Sequence, residues 1–524
     1  MLRRHRRLLL PLAALAGCQF PQPEDVPATD APPGQVSLTV TIAGAGAGSI
    51  LVAPGDFTCG SGTCEHSYAE GTSLTLTGAP TSDLDGVEAV TGDCTSLPCT
   101  LTMSSARSVS VSFRRFSCVP ESTTCTAGRF SACGSDGEFL SYDVPNGAGE
   151  GMPTTLVMHD YVCPLGCHST EPRCADVDTQ TDLNAVLAST AVSPAGLDIV
   201  LPKSGAPAGT IRIDTSSYDA VAHQIVVTDT DGQSVAIPAT VVLQPTPAPT
   251  LLVLSTRTLT LRTGSTIVVS GPHALAIATH FDLVVNGTID LSAYVEGHAQ
   301  AAPGGYNSGA VCDGHWLNGA SGGGSNACGA GNASTGALRG DGAPVHAPYV
   351  TGGCPGGPGP GFVQLGGIGG GALGLVSRTR IRLGPASLVD VSGGGGFAGP
   401  GWATGGGSGG DIVIITPDLL TAAGARLSGR GGSGGAAGPT ASAPGQEGPT
   451  APATWAVGGS CSGCGTGGVG GSEAGCGSNG SGSGTALGGG GGGSGEVSTY
   501  TRATPLFPPG SLQIGHSYNT IASH

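Results

Sequence analysis

The sequence predicts an all-β protein: a small N-terminal β domain and a disulfide-rich module, followed over residues 251–524 by a parallel β-solenoid with long glycine-rich insertions. Three observations predict it. Residues 36–115 alternate apolar and polar with period two, through Val36, Leu38, Val40 and Ile42, then Leu74 and Leu76, then Val109, Val111 and Phe113, the pattern of half-buried strands. From 251 onward a unit of about 22 residues recurs, each with three short apolar strands, as expected of repeats that bury their faces only by stacking. Glycine supplies 95 of the 524 residues, 66 of them between 301 and 500. They are interleaved with β-branched runs such as Ile412-Val413-Ile414-Ile415, which disordered chains lack.

At the N-terminus, Arg3, Arg4, Arg6 and Arg7 precede an apolar stretch over 8–16, and the sequence then reads Leu15-Ala16-Gly17-Cys18. Residues 1–17 thus have the layout of a secretory signal, and their end resembles the lipobox of bacterial lipoproteins. The resemblance implies cleavage before Cys18, lipid attachment at Cys18 and membrane association through that lipid. Gln19 follows rather than aspartate, which points to the outer membrane or cell surface of a Gram-negative bacterium. Residues 18–35 carry Pro21, Pro23, Pro27, Pro32 and Pro33 and form a tether. At about 3 Å per residue it spans roughly 50 Å.

The first β domain, 36–115, contains Cys59-Gly-Ser-Gly-Thr-Cys64, the strand pattern at 71–76, Cys94 to Cys99 and the strand pattern at 100–113. In order and spacing it resembles a divergent internalin-B-type repeat of bacterial surface proteins. It departs from that family at Gly86-Val87, where the repeat carries Gly-Trp. The resemblance implies a spacer or adhesive module and transfers no catalytic residue.

Residues 116–178 hold Cys118, Cys125, Cys133, Cys163, Cys167 and Cys174, and so short a segment with few large apolar groups needs covalent staples. Cys163 to His168 also has zinc-ligand chemistry, but export favours disulfides. Seventeen cysteines less Cys18 leave an even number. They fall into Cys59, Cys64, Cys94 and Cys99, the six just named, and Cys312, Cys328, Cys354, Cys461, Cys464 and Cys476, which predicts pairing within each group. Residues 179–250 read as a β-rich connecting segment with a hairpin turn at Asp231-Gly232.

In the repeats, Ile267, Ile289, Val389, Ala425 and Leu512 align as one apolar column, and Val269, Leu291, Val391, Leu427 and Ile514 as a second. Val268, Asp290, Asp390, Arg426 and Gln513 lie between them and are expected to face solvent, with Ser270, Ser292, Ser392 and Ser428 at the corner that follows. The insertions, 295–371, 395–410 and 433–495, all leave after this corner and so emerge on one side. They are expected to be long loops crosslinked by the third cysteine group, or segments whose backbones approach too closely for any side chain but glycine's.

The chemistry is sparse. The net charge of −16, made more negative by loss of the leader arginines, excludes nucleic-acid binding. His273, His280, His298, His315 and His346 have no metal or triad spacing, and Asp290 with Asp390 reads as a polar ladder rather than a calcium site. The sequence predicts no catalytic, cofactor-binding or metal residues and no enzyme. The whole layout resembles uncharacterised glycine-rich surface lipoproteins of myxobacteria. The expected role is structural, adhesive or binding, with a glycan or protein ligand on the glycine-rich loops. A carbohydrate-active β-helix that binds or cleaves a polysaccharide is the alternative. Trp316, Trp402 and Trp455 all lie in the insertions and supply aromatic surface for either role.

Overall fold

The computed structural model describes residues 34–140, 142–143, 157–158, 161–178, 198–202, 209–245, 248–293, 302–303, 305, 316–317, 320–321, 323, 330–339, 349–358, 366–446, 448–449, 456–471, 476–483, 485–509 and 511–520. The signal segment, Cys18, the tether as far as residue 33, Cys312, Cys328 and Trp455 lie outside them, while Gln35, read as the end of the tether, opens the first strand. The described chain is β-structured apart from one 3-10 turn, Thr215–Ser217. It divides into two compact units, Met1–Pro120 and Glu121–His524.

The first unit consists of two four-stranded sheets. One runs Gly62–Ala69, Gln35–Gly44, Arg107–Arg115, Asp85–Gly92, and the other Phe57–Cys59, Gly48–Ala53, Ser73–Pro80, Cys99–Thr102. Period-two alternation turns Leu38, Val40, Ile50, Leu74, Leu76, Val109, Val111 and Phe113 into a shared core, each fully buried. Cys59 pairs with Cys64 and Cys94 with Cys99, with Cα atoms 5.7 and 6.0 Å apart, which closes two short loops at the rim.

In the second unit short strands pair in parallel, in register, as three stacks. The first runs through Asp198–Leu201, Thr258–Leu261, Leu283–Val285, Arg380–Leu383 and Asp418–Thr421. The second comprises Thr210–Asp214, Thr266–Ser270, Thr288–Asp290, Leu388–Asp390, Arg426–Ser428 and Leu512–Gln513. Leu251–Thr256, Ala274–Thr279, Leu373–Ser377, Ile412–Ile415, Glu496–Thr501 and Gly515–Thr520 make the third. Alternate residues of all three point into one aliphatic core, in columns such as Ile199, Leu259, Leu283, Ile381 and Leu419. Each fully buried Leu, Ile or Val contributes roughly 2 kcal/mol.

Two expectations change. The stacking begins before residue 251: Asp198–Leu201 and Thr210–Asp214, read as connecting segment, already pair with the following turn of chain. The hairpin of Gln224–Thr228 and Ser234–Val242 then joins the second and third stacks into one 14-stranded sheet, so the exposed edge there is paired rather than left open. The second correction is a register slip of two. Val389 pairs with Leu427, not Ala425, and Asp390 with Ser428, not Arg426. A slip of two leaves inward and outward faces unchanged, so the apolar pattern alone does not exclude it.

The cysteine-rich segment packs onto this unit. Cys125 pairs with Cys167 and Cys163 with Cys174, with Cα atoms 5.6 and 5.3 Å apart. Phe130 and Tyr161 lie against Phe281, with ring centres 5.3 and 4.3 Å away. Tyr161 donates to Asp282 at 2.8 Å, and burial raises the Asp282 carboxyl above its usual range. Arg378 pairs with Asp176 beside it.

Candidate functional site

The described parts of the glycine-rich insertions are not loops. Each insertion returns to the third stack as a glycine strand, the second and third also leave the second stack as one, and outgoing and returning chain run antiparallel. Gly371 donates to the carbonyl of Leu291, Gly410 and Gly407 to Val391 and Gly394, and Gly495, Gly492 and Gly489 to Gly429, Gly432 and Gly435, all at 2.8 to 3.0 Å. Outgoing strands also bond to outgoing strands (Gly393 to Arg430, Gly396 to Ser433) and returning to returning (Gly367 to Gly405, Gly370 to Ser408, Gly406 to Gly490, Gly409 to Gly493).

The bonding period is three. Along one strand, Gly406 and Gly409 donate to the 490–493 strand, Gly407 and Gly410 to the 391–394 strand, and Ser408 and Asp411 to the 351–354 strand. Every third residue faces the same neighbour, so one strand serves three partners. A β-strand, with period two, cannot do this. A polyproline-II screw has three residues per turn and no internal hydrogen bonds, so all its amides are available sideways. The φ angles of Gly406, Gly407, Gly409 and Gly410 lie outside the +20 to +160° range, which excludes the mirror-image screw.

Glycine is required by the packing. A Cβ on Gly409 would lie closer than 3.0 Å to the backbone of Gly429, one on Gly410 to that of Gly371, and one on Gly492 to that of Gly407. Residues 404–411 and 429–437 are buried throughout, yet each backbone amide just named has a carbonyl, as buried amides require. Cys461 pairs with Cys464 at a Cα separation of 5.2 Å in the outer layer, and Cys354 and Cys476 are also disulfide-bonded.

Where the array meets the β rungs, Asp290 and Asp390 lie side by side on neighbouring strands. The Oδ1 atoms of Asp290 and Asp390 accept from the amides of Ser292 and Ser392 at 2.9 and 3.0 Å, and from their hydroxyls. This column was expected to face solvent. Instead Asp390 is only 7 % exposed, because the glycine strand begins three residues later, at Gly393. Burial, opposed by the Ser392 hydrogen bond and reinforced by the Asp290 charge, pushes the Asp390 carboxyl up to about 7.

At the far end the insertions meet. Trp316–Leu317, Ala320–Ser321, Trp402–Ala403 and Ala398–Gly399 form one small sheet, in which Ala320 pairs with Ala403. Ala320, Ala333, Ala337, Ala403, Ala437 and Leu487 form a compact cluster beneath it. Pro400-Gly401, with Gly401 at φ 77°, turns the chain between the two short strands, as Pro-Gly does at the centre of a type II turn. The indole of Trp402 lies against Gly399, where a Cβ would meet its ring atoms. Phe397 is 48 % exposed. Its amide donates to Thr404 Oγ1 at 2.7 Å and its carbonyl accepts from the Thr404 amide at 2.9 Å.

No known protein family, curated protein or solved structure matches the chain. The site therefore rests on geometry alone. Of the histidines the sequence singles out, His298, His315 and His346 lie outside the described residues; His280 is buried between Phe130 and Phe281, and His273 bonds to Thr250 at the third stack. Among the described residues no three His, Cys, Asp or Glu side chains are placed to hold a metal ion. Trp402 and Trp316, both flagged by the sequence, enter the same small sheet. Phe397 was not flagged; its signal is its place as the first bulky residue after Gly393–Gly396, five positions before Trp402.

Proposed function

We propose that this chain is an exported lipoprotein, anchored through Cys18 at the outer membrane or cell surface of a Gram-negative bacterium, with a structural, adhesive or binding role. In this reading residues 198–520 are a right-handed parallel β-solenoid, and the glycine array is a rigid arm continuing its rungs sideways. The observation that carries it is that all three insertions converge on one tip, where Phe397 stands exposed on a backbone held by Thr404. Binding residues collect on segments that a rigid scaffold positions. The basic, apolar, Leu-Ala-Gly-Cys leader supports export, and the disulfide pairs suit an oxidising compartment. Cleavage of a polymer finds no support in the Asp290–Asp390 pair, since Asp390 is buried beneath the root of the array.

Mass spectrometry of the mature protein tests the anchor, and protease shaving of intact cells tests display. A diacylated or triacylated Cys18 and surface release of tip peptides are expected. An unmodified residue 18, or a tip cut only after lysis, overturns the reading.

A further inference from the structure

We propose that the tip formed by Phe397 and Trp402 binds a neutral polysaccharide, its sugar rings stacking on the two aromatic faces; this rests on the display reading above. Three observations point to that ligand class. First, the tip carries almost no charge. Among the described residues of 316–339, 397–404, 436–446 and 476–488 the one charged side chain is Arg339, whose guanidinium donates to the carbonyl of Ala330 at 3.2 Å, in a chain of net charge −16. A basic polymer finds no carboxylate there, and an acidic one a single cation already hydrogen-bonded to the protein.

Second, Trp402 is held by contact and Phe397 by its backbone. Trp402 rests on Gly399, whose missing side chain lets the indole lie on the backbone, and it is half-buried. One ring face is therefore supported by protein while part of the ring remains accessible. Phe397 is fixed at both its amide and its carbonyl by Thr404. The faces of aromatic rings are apolar and electron-rich, and they match the C–H-bearing face of a hexose. Anchors held in this way lose little conformational freedom on binding. Third, the surroundings offer neutral polar partners. Asn332, Ser334 and Asn479 lie in segments joined to this cluster, and Leu338, 60 % exposed, follows Ala337 of the cluster. The combination is an apolar platform bordered by amides and hydroxyls, which suits a molecule with one C–H face and a rim of hydroxyls.

The test uses the purified mature chain in affinity gel electrophoresis with laminarin, dextran and galactomannan as neutral probes and alginate and polygalacturonate as acidic ones. At least one neutral polymer should retard migration, unchanged between 0.1 and 1 M NaCl, and neither acidic polymer should. Trp402→Ala and Phe397→Ala should each weaken retardation tenfold or more while the melting temperature stays within a degree. Leu506→Ala, which removes an exposed apolar side chain outside the tip, should leave it unchanged. No retardation by any neutral polymer overturns the proposal, as does retardation that salt abolishes. A concentration-dependent dimer lost in Trp402→Ala, without glycan retardation, makes the patch a contact between copies and also overturns it. Because the assay is in solution, its failure leaves the anchoring and display reading standing, and a cytoplasmic location of the chain would not alter its outcome.

Discussion

The β rungs and the glycine array stack the same turns of chain in the same order, by opposite means. In the rungs, side chains do the packing: Ile267, Ile289, Val389 and Leu427 fill one column, and the strands bond edge to edge to two neighbours. In the array side chains are few, and buried ones such as Ser408 and Ser433 hydrogen-bond to neighbouring backbone. The backbones of residues such as Gly406, Gly407 and Ser408 bond to three different neighbours in turn, and the cohesion comes from amide–carbonyl pairs. A rung gains stability by burying apolar area, whereas the array gains by leaving no buried amide unpaired and no gap between backbones. The first tolerates exchange of one aliphatic residue for another. The second tolerates almost no addition at all.

Four experiments would break or sharpen that contrast. The largest effect is expected from Leu291→Asp or Val391→Asp, both fully buried at the point where rung becomes array. An unpaired charge there costs about 5 kcal/mol or more, and circular dichroism should show no cooperative melt. Next, Gly409→Ala adds one methyl group against the Gly429 carbonyl and should cost about 3 kcal/mol. Gly394→Ala, whose nearest atom would be 3.2 Å away, should cost much less. Equal denaturation midpoints for the two would mean that the array is not backbone-packed.

The third experiment concerns the junction. Asp390 has a folded-state carboxyl raised to about 7, so its contribution is fully present below the unfolded value near 4 and is lost as pH rises through 7. Stability should therefore fall between pH 4 and 8 by roughly 2–4 kcal/mol from this group. Asp390→Asn should flatten that part of the pH profile and raise the melting temperature at pH 8. An unchanged profile would return this column to solvent, where the substitution has almost no effect. The smallest difference is between two disulfides. Chain-entropy reasoning gives about 4 kcal/mol for Cys125–Cys167, which closes a long loop, and about 2 kcal/mol for Cys461–Cys464. Paired Cys→Ser variants compared by chemical denaturation would measure it.

The rungs were legible in the sequence because period two and aliphatic columns write themselves into residue type: Leu252, Leu275, Leu373, Ile412 and Val497 could hardly have faced water together. The register at Leu427 was not, since a shift of two preserves every inward residue. The first turn at Ile199 and Ile211 escaped because it lacks its own third-stack strand, a hairpin standing there instead. The array was the least legible part. Its specificity lies in carbonyl positions, and a run such as Gly488–Gly493 has no side-chain pattern to show which residue meets which neighbour. For the tip, Trp316 and Trp402 were visible as residues, but their convergence depends on how the array folds.

A threefold bonding period also constrains how such a chain can change length over generations. Removing three consecutive residues from a glycine strand returns every remaining amide to its former neighbour and only shortens the arm. Removing one or two rotates the strand by a third or two thirds of a turn and sends all its amides to the wrong partners at once. Related genes should therefore differ within 404–411, 429–435 and 488–495 by gains and losses of three codons' worth of residues, so that arm length varies in discrete steps while the tip is carried along intact.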